Sequence, residues 1–305
     1  MTIDIQEAIR CYHETCTPKN EEHIVLILDK SLHMFPWESL PCLRGRSVSR
    51  LPCLSALLER VVPSLQEGSS WPTIESAKGF YVLNPEGDLK HTQSKFENSL
   101  SRITGWNGIT GRAPMDQEIL SALKTNDIFL YFGHGSGEQY IKSTQIKRLP
   151  RCALTMLFGC SSGKLREQGD FEPCGTPVTY LLAGTPALLA NLWDVTDRDI
   201  DKLTVGVFER WGLVSSERPM SSGSDSTVES GSNGLSVKER KKLLEVATGL
   251  GTADYGRLQY DGGNGVRGGG VSLTKALALA REDCTLKYLN GAAPVVYGVP
   301  VFLKS

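Results

Sequence analysis

Phe132-Gly133-His134-Gly135-Ser136-Gly137 and, one supersecondary unit later, Phe158-Gly159-Cys160-Ser161-Ser162-Gly163 are glycine-rich turns. Each follows a strand-like apolar run, at residues 127–132 and 153–158. The carboxyl ends of neighbouring parallel strands meet at one edge of a sheet, where open α/β folds place their sites, so we expect His134 and Cys160 to lie close together. A base beside a thiol, with unhindered main-chain N–H groups around both, predicts a cysteine hydrolase.

Strand-like and helix-like segments alternate along the rest of the chain. Further strands are predicted at residues 23–28, 79–83, 187–193 and 294–301. Helices are predicted at residues 2–16, 49–62, 92–102, 115–124, 176–183, 196–211, 236–248 and 271–288. This alternation predicts an α/β fold with a parallel sheet that is covered by helices on both faces. Two prolines in the last strand favour a sheet edge or an irregular end for it.

The composition is that of a globular protein without a strong charge bias. The 305 residues are 40% hydrophobic and 22% charged, and the net charge of −1 predicts no contact with nucleic acid. No apolar run is long enough for a membrane span, and the first residues lack the features of a secretion signal. The eight scattered cysteines include no close C-x-x-C pair, which favours free thiols over a disulfide framework.

Low-complexity sequence marks the predicted domain organisation. A serine-rich stretch at residues 214–234 and a glycine-rich one at 261–270 predict a flexible surface insert over about 214–270. The domain that carries the two glycine turns is predicted over residues 21–305, and an N-terminal helix precedes it within residues 1–20.

Other interpretations of these motifs are weaker. Gly133-x-Gly135-x-Gly137 lacks the spacing of the dinucleotide fingerprint. Gly159-Cys160-Ser161-Ser162-Gly163 fits the G-x-S-x-G elbow with Ser161 as nucleophile, but there the histidine follows the serine, and all five histidines here precede residue 135. A non-catalytic role is the alternative for each residue taken alone: Cys160 would be a buried core thiol and His134 a hydrogen-bonded loop histidine. The Cys11-x-His13-x-x-Cys16 cluster has no second ligand pair, so no metal site is predicted.

The chemistry assigns a role to each group in the two turns. His134 is the predicted general base and Cys160 the predicted nucleophile. The main-chain N–H groups of Gly135 and Cys160 are predicted to form the oxyanion hole. No residue that orients His134 is evident from the sequence, and the mechanism calls for no metal or organic cofactor.

Collinear motifs resemble the protease domain of separase, the cysteine endopeptidase that opens cohesin at anaphase. The resemblance extends from about residue 22 to the end of the chain and is interrupted by the insert. The motifs are residues 132–140 (FGHGSGEQY), 159–163 (GCSSG), 191–201 (NLWDVTDRDID) and 286–294 (LKYLNGAAP), with an earlier pair at 36–39 (PWES) and 49–52 (SRLP).

The resemblance implies a caspase-like three-layer α/β fold with a mostly parallel central sheet, and His134 and Cys160 as the catalytic dyad. It implies cleavage after arginine in the kleisin subunit of cohesin, with securin as an inhibitor in the substrate groove. It also implies that the chain is the C-terminal part of a larger protein whose helical region is a further partner, with residues 1–20 as a remnant of the preceding segment. The expected location is the cytoplasm and nucleus, at chromosomes and spindle poles.

Cleavage after arginine requires a carboxylate that can pair with a guanidinium. We expect Asp201, assisted by Asp197 or Asp194, to bind this arginine and Trp193 to stack on it. The alternatives are that Asp197 caps a helix and that Asp199 is solvated. Separase substrates also carry an acidic residue upstream of the cleaved bond. Its candidate partners are Arg44, Arg46 and Arg50, for which a solvated surface role is the alternative.

Two rival functions stay open at this point. The chain could be a caspase-like peptidase with another specificity, or an idle fold that only binds a partner. Strong cleavage after a residue other than arginine would favour the first rival over the separase-like function. Failure of an arginyl ketone to label Cys160 would favour the second.

Overall fold

A central eight-stranded sheet organises the part of the chain that the computed structural model describes, residues 23–66, 71–214 and 270–304. The strands are β1 (Ile24–Ile27), β2 (Val48–Leu51), β3 (Thr73–Glu75), β4 (Gly79–Leu83), β5 (Asn107–Thr110), β6 (Ile128–Phe132), β7 (Leu154–Leu157), β8 (Arg166–Gln168), β9 (Phe171–Cys174), β10 (Ala187–Asn191), β11 (Pro294–Gly298) and β12 (Phe302–Lys304). The α-helices are α1 (Leu54–Gln66), α2 (Lys90–Ser101), α3 (Asp116–Thr125), α4 (Ser143–Ile146), α5 (Thr176–Leu182), α6 (Asp197–Trp211) and α7 (Leu273–Ala280). The helices predicted at 2–16 and 236–248, and nearly all of the predicted insert, lie outside the described residues.

The order of the strands in this sheet is β1-β2-β11-β10-β7-β6-β4-β5. All neighbours pair in parallel except β10 and β11, which pair antiparallel. The carboxyl ends of β4, β6, β7 and β10 therefore share one edge of the sheet, as the sequence predicted for β6 and β7. The amino end of β11 meets the same edge because this strand runs the opposite way.

Helices cover both faces of the sheet, which confirms the three-layer prediction. Side chains alternate along β6: Leu130 and Phe132 pack with α2, α6 and α7, whereas Phe129 and Tyr131 pack with α3 and α5 on the other face. Next to the shared edge, the Phe132 ring lies 4.7 Å from that of Phe158 and 4.9 Å from that of Phe96. This aromatic cluster gives the ends of β6 and β7 a rigid apolar base.

Three predicted elements differ from the structure. The helix predicted at 49–62 was wrong at its start, because residues 48–51 form β2 and α1 begins only at Leu54, after Pro52. Of the two alternatives predicted for the last strand, the sheet edge is wrong, because β11 lies inside the sheet and begins at Pro294, whereas the irregular end is confirmed, because β11 stops at Gly298 before Pro300. The helix predicted at 271–288 ends at Ala280 and continues only as a short 3-10 turn, Arg281–Asp283. Strands β3, β5, β8, β9 and β12 were not predicted.

Two further observations on the described residues concern their cysteines and the length and hydropathy of their helices. The six cysteines there are all free, and three of them, Cys42, Cys53 and Cys174, are exposed. Within the same residues, none of the helices is both long and apolar enough to cross a membrane.

Candidate active site

Two loops at the shared sheet edge carry His134 and Cys160. We name residues 133–140, after β6, the His loop and residues 158–163, after β7, the Cys loop. The two loops pack so closely that a Cβ atom at Gly159 would lie 2.0 Å from the carbonyl oxygen of Gly135. Only glycine fits at this contact, which explains the residue type in the second motif.

The two loops and the start of α6 enclose a small cleft. Polar groups in its lining come from His134, Cys160, Asp197, Asp201 and Thr92. Its apolar walls are Leu89, Phe132, Phe158, Val195 and Ile200. The structure therefore brings the sequence-predicted base and thiol into one cleft with two of the three aspartates that were predicted to bind arginine.

A carboxylate that the sequence did not reveal orients His134. The Nε2 atom of His134 lies 2.7 Å from Oδ2 of Asp88, and about half of each side chain is exposed. This hydrogen bond raises the pKa of His134 and lowers the pKa of Asp88. Asp88 lies just beyond the predicted strand β4, which pairs with β6, so its position could have been found had the strand order been known.

Glu86 completes an acidic group beside the imidazole. One ligand atom each from Glu86, Asp88 and His134 lies within 4.8 Å of the others, and all three residues are exposed. The side chain of Glu86 also accepts hydrogen bonds from Gln139 and Tyr140 of the His loop. An exposed ion pair with a neighbouring carboxylate accounts for this geometry, and we assign no metal to it.

The thiol of Cys160 points to the main chain of the segment after β10. Its Sγ atom lies 3.2 Å from the carbonyl oxygen of Val195, to which the thiol donates. Within the described residues, Cys160 and His134 make no hydrogen bond to each other. The main-chain N–H groups of Gly135 and Cys160 also donate to no other group there, and of the two residues only Cys160 lines the cleft.

Buried polar contacts fix the shape of the Cys loop. Asn191 donates from Nδ2 to the carbonyl oxygens of Phe158 and Gly159, at 3.2 and 3.0 Å. Ser161 has a φ of 52°, a left-handed conformation that is uncommon for serine. Its Oγ donates to Asp194 at 2.6 Å. The loop is thereby tied to β10 and to the segment that follows it.

Asp201 is a buried carboxylate in the lining of the cleft. It is 2% exposed, and its two oxygens accept from Thr92 Oγ1 at 3.2 Å. Burial raises the pKa of Asp201. Among the residues that the structure describes, no lysine or arginine forms an ion pair with it, although it lines the cleft. The charge of Lys95 acts on Asp201 and lowers its pKa in part, without an ion pair, and a buried carboxylate of this kind in a cleft is suited to bind a cationic ligand.

The other members of the acidic segment have different surroundings. Asp197 lines the cleft, and no side-chain hydrogen bond caps α6 at its N-cap, Thr196. Asp194 is bonded to Ser161, and Trp193 donates from Nε1 to Leu289 O at 3.2 Å. The structure does not bring Asp194 or Trp193 into the lining of the cleft.

Asp199 is structural, and the alternative that it is solvated is wrong. It is 3% exposed and accepts hydrogen bonds from the N–H groups of Thr285 and Leu286 and from Asn290. Burial alone would raise the pKa of Asp199, but these hydrogen bonds outweigh it and lower the pKa to about 2. Asp199 thus attaches α6 to the segment before β11.

The three arginines proposed for an upstream acidic residue are not equivalent. Arg50 is fully buried in β2, where it makes a bidentate pair with Glu38 at 2.7 Å, so the prediction that it contacts substrate is wrong. Arg44 pairs with Glu282 and lies over the Tyr288 ring. Arg46 is exposed, and its side chain has no partner within the described part of the chain.

Comparison with known proteins places the chain in a family. Residues 1–200 match the family described as separin, protease domain. The chain is 45% identical to the separin of Emericella nidulans over 99% of its own length, and 40% identical to that of Schizosaccharomyces pombe over 99%. It spans only 13% and 14% of the lengths of those proteins.

Solved structures give the same result. The Saccharomyces cerevisiae separase–securin complex, in a crystal structure at 2.6 Å resolution, aligns with a TM-score of 0.72 at 31% identity. The alignment covers 99% of this chain and 17% of that one. A second crystal structure of the same complex, at 3.0 Å resolution, gives a TM-score of 0.73 over 98% of this chain. The chain belongs to the separin protease-domain family.

Proposed function

We propose that the chain is the protease domain of a cysteine endopeptidase that cleaves after arginine, with Cys160 as nucleophile and His134 as base. The observation that carries this proposal is one cleft that joins a thiol, an imidazole and the buried carboxylate of Asp201, which forms no ion pair within the described part of the chain. Thiol chemistry needs the first two groups, and a substrate guanidinium needs the third.

The chemical steps follow from the positions of these groups. His134 accepts the thiol proton, and the Cys160 sulfur attacks the carbonyl carbon of the arginine residue. The N–H groups of Gly135 and Cys160 stabilise the oxyanion, the peptide C–N bond breaks, and His134 returns the proton to the leaving amine. Water then hydrolyses the thioester with His134 as base. No step requires a metal or an organic cofactor.

The resting contacts of the dyad indicate when this chemistry begins. The Sγ atom of Cys160 lies 3.2 Å from Val195 O, a contact that suits the protonated thiol as the starting state of the reaction. A substrate arginine that pairs with Asp201 and Asp197 places the scissile carbonyl next to the thiol. Proton transfer to His134 then accompanies attack, and no preformed thiolate is needed.

Family membership supports the choice of substrate and partners. We propose the kleisin subunit of cohesin as the substrate and securin as an inhibitor that lies in the same cleft. The S. cerevisiae relatives were solved as separase–securin complexes. Because the chain spans so little of its relatives, we further propose that a helical region of a larger protein joins it, and that it acts in the cytoplasm and nucleus, at chromosomes and spindle poles.

Selective labelling tests the proposal. An arginyl acyloxymethyl ketone should alkylate Cys160, whereas Cys42, Cys53 and Cys174 should react more slowly although they are more exposed. Exposure alone would give the opposite order, so faster labelling of Cys160 would reflect activation by the site. Peptide mapping by mass spectrometry identifies the modified residue. Equal labelling of all four thiols, or none at Cys160, would contradict the proposal.

Substitution of Asp201 tests the arginine pocket separately. Asp201→Asn should lower kcat/KM for an arginyl peptide by about 30-fold or more, because the guanidinium loses a buried charge partner. The same variant should change the labelling of Cys160 by iodoacetamide, which has no guanidinium, less than twofold. Asp170→Asn is the matched control, since Asp170 is exposed in the turn between β8 and β9 and lies outside the cleft lining. Efficient cleavage after a residue other than arginine would favour the rival caspase-like peptidase.

A further inference from the structure

The turn after β4 holds Asp88 next to His134, and this turn is tightly fixed. The N–H group of Asn84 donates to Phe132 O at 2.8 Å, which joins the turn to the end of β6. Asn84 accepts from the Leu89 N–H and donates to Gln93 of α2, both at 2.8 Å. The turn that carries Asp88 is therefore hydrogen-bonded both to the end of β6, which precedes His134, and to α2.

The contact between the two side chains selects one form of the imidazole. A neutral imidazole carries a single N–H, and a carboxylate accepts but does not donate. Asp88 bonds to Nε2, so the proton of neutral His134 belongs on Nε2 and the free lone pair on Nδ1.

We propose that Asp88 is a positioning residue that fixes His134 as the Nε2–H tautomer and leaves Nδ1 to exchange protons in the reaction. This inference rests on the proposed function. The Cys160 S–H bond breaks and its proton moves to Nδ1 while the sulfur forms the C–S bond. The imidazolium then gives the Nδ1 proton to the departing amine as the C–N bond breaks, so that the neutral tautomer is restored.

A role in fold stability does not account for the pair. Because the side chains of His134 and Asp88 are 49% and 55% exposed, their ion pair contributes little to folding in water. Loss of the bond would instead free the imidazole to rotate and to exchange tautomers. The cost should therefore appear in catalysis and not in the free energy of unfolding.

Charge from Asp88 also sets the pH at which the base works. The groups that face His134 are Asp88 and Glu86 from the turn after β4, Asp197 from α6, and Cys160 from the Cys loop. The hydrogen bond to Asp88 is the largest cause that raises the pKa of His134, and the charges of Asp88, Glu86 and Asp197 add to it. In the proposed mechanism His134 accepts the thiol proton, so it must be neutral to act as base. Activity should therefore rise with pH through the His134 pKa, and this acid limb should move to lower pH when Asp88 is neutralised.

The experiment compares Asp88→Ala, Asp88→Asn and the control Asp170→Asn. The alanine variant should lower kcat/KM for an arginyl peptide by at least about 10-fold at its pH optimum. The asparagine variant keeps an oxygen that can accept from Nε2–H, so it should recover part of this loss while its acid limb still shifts to lower pH. The matched control, Asp170→Asn, removes one negative charge from an exposed residue between β8 and β9 that lies outside the cleft lining, and it should keep kcat/KM within twofold.

Two further measurements make the outcome decisive. Nitrogen-15 spectra of histidine-labelled wild type should place the proton of neutral His134 on Nε2, and denaturation curves should be unchanged in the Asp88 variants. If the wild type cleaves the peptide and the Asp88 variants cleave it equally well, this inference is overturned and the proposed function stands. A proton on Nδ1 in the wild type would also overturn it. If the arginyl acyloxymethyl ketone does not label Cys160 in the wild type, that result would instead count against the proposed function.

Discussion

Replacing Gly159 by alanine should force the His loop and the Cys loop apart. The new Cβ would lie 2.0 Å from Gly135 O and 2.5 Å from Gly133 O, whereas Cβ atoms essentially never come closer than 3.0 Å to a neighbour. The shortest contact must therefore lengthen by about 1 Å. Both neighbours are main-chain oxygens, so no change of rotamer can relieve the clash.

The displacement affects activity more than folding. Overpacking of this kind costs about 1–3 kcal/mol, which leaves a domain with a typical stability of about 5–15 kcal/mol mostly folded. A misplacement of about 1 Å between reacting groups, in contrast, lowers rates by about 100-fold. We therefore expect Gly159→Ala to lose about 100-fold in kcat/KM while it still unfolds cooperatively.

Two measurements on the same protein separate these effects. Cleavage of an arginyl peptide gives kcat/KM, and urea denaturation gives the free energy of unfolding. Gly270→Ala is the control, because its Cβ would lie 3.7 Å from Leu303 O, an ordinary contact. A Gly159→Ala protein with wild-type activity and stability would refute the close packing of the two loops.

Three further predictions concern contacts that stabilise the fold and the Cys loop. Asp199→Asn should lower the free energy of unfolding by about 1–3 kcal/mol at pH 7. Because folding lowers the pKa of Asp199 from 3.8 to about 2, this difference in urea denaturation should shrink as the pH drops through that range. Arg50→Met should lower the free energy of unfolding by about 3–5 kcal/mol because it leaves the Glu38 carboxylate buried without its partner, and the double variant Arg50→Met with Glu38→Leu should lose less. Urea denaturation measures both variants, and an equal loss would argue against the buried pair. Ser161→Val should melt below Ser161→Gly in calorimetry, because valine is strained by about 1–2 kcal/mol in a left-handed conformation that glycine adopts freely.

Local sequence patterns were sufficient for the strands that carry the site. The continuous apolar runs before His134 and Cys160 are buried on both faces of the sheet, as a central parallel strand requires. The glycines after them allow the turns and the close packing of the two loops. The grouping of His134 with Cys160 in one cleft could therefore be predicted without knowledge of the complete topology.

Elements whose polar groups find distant partners could not be predicted in this way. Strand β2 contains Ser49 and Arg50, which are polar but fully buried because they bond to Gly298 O and Glu38. The same dependence hid Asp88, whose partner lies 46 residues further along the chain. It also hid the structural role of Asp199, since the groups that bind it follow more than 80 residues later.

The one antiparallel pair of the sheet explains why the segment before β11 belongs to the site. Had β11 run parallel to β10, its amino end would lie at the opposite edge, far from the cleft. The reversal instead brings residues 285–290 next to the start of α6, where Asp199 accepts their N–H groups. Asp197 and Asp201 lie one half-turn of helix on either side of Asp199, so anchoring this residue fixes the rotation of α6 and the direction of both carboxylates. The segment that matches the separase C-terminal motif thus supports the proposed arginine pocket without contributing a group to it.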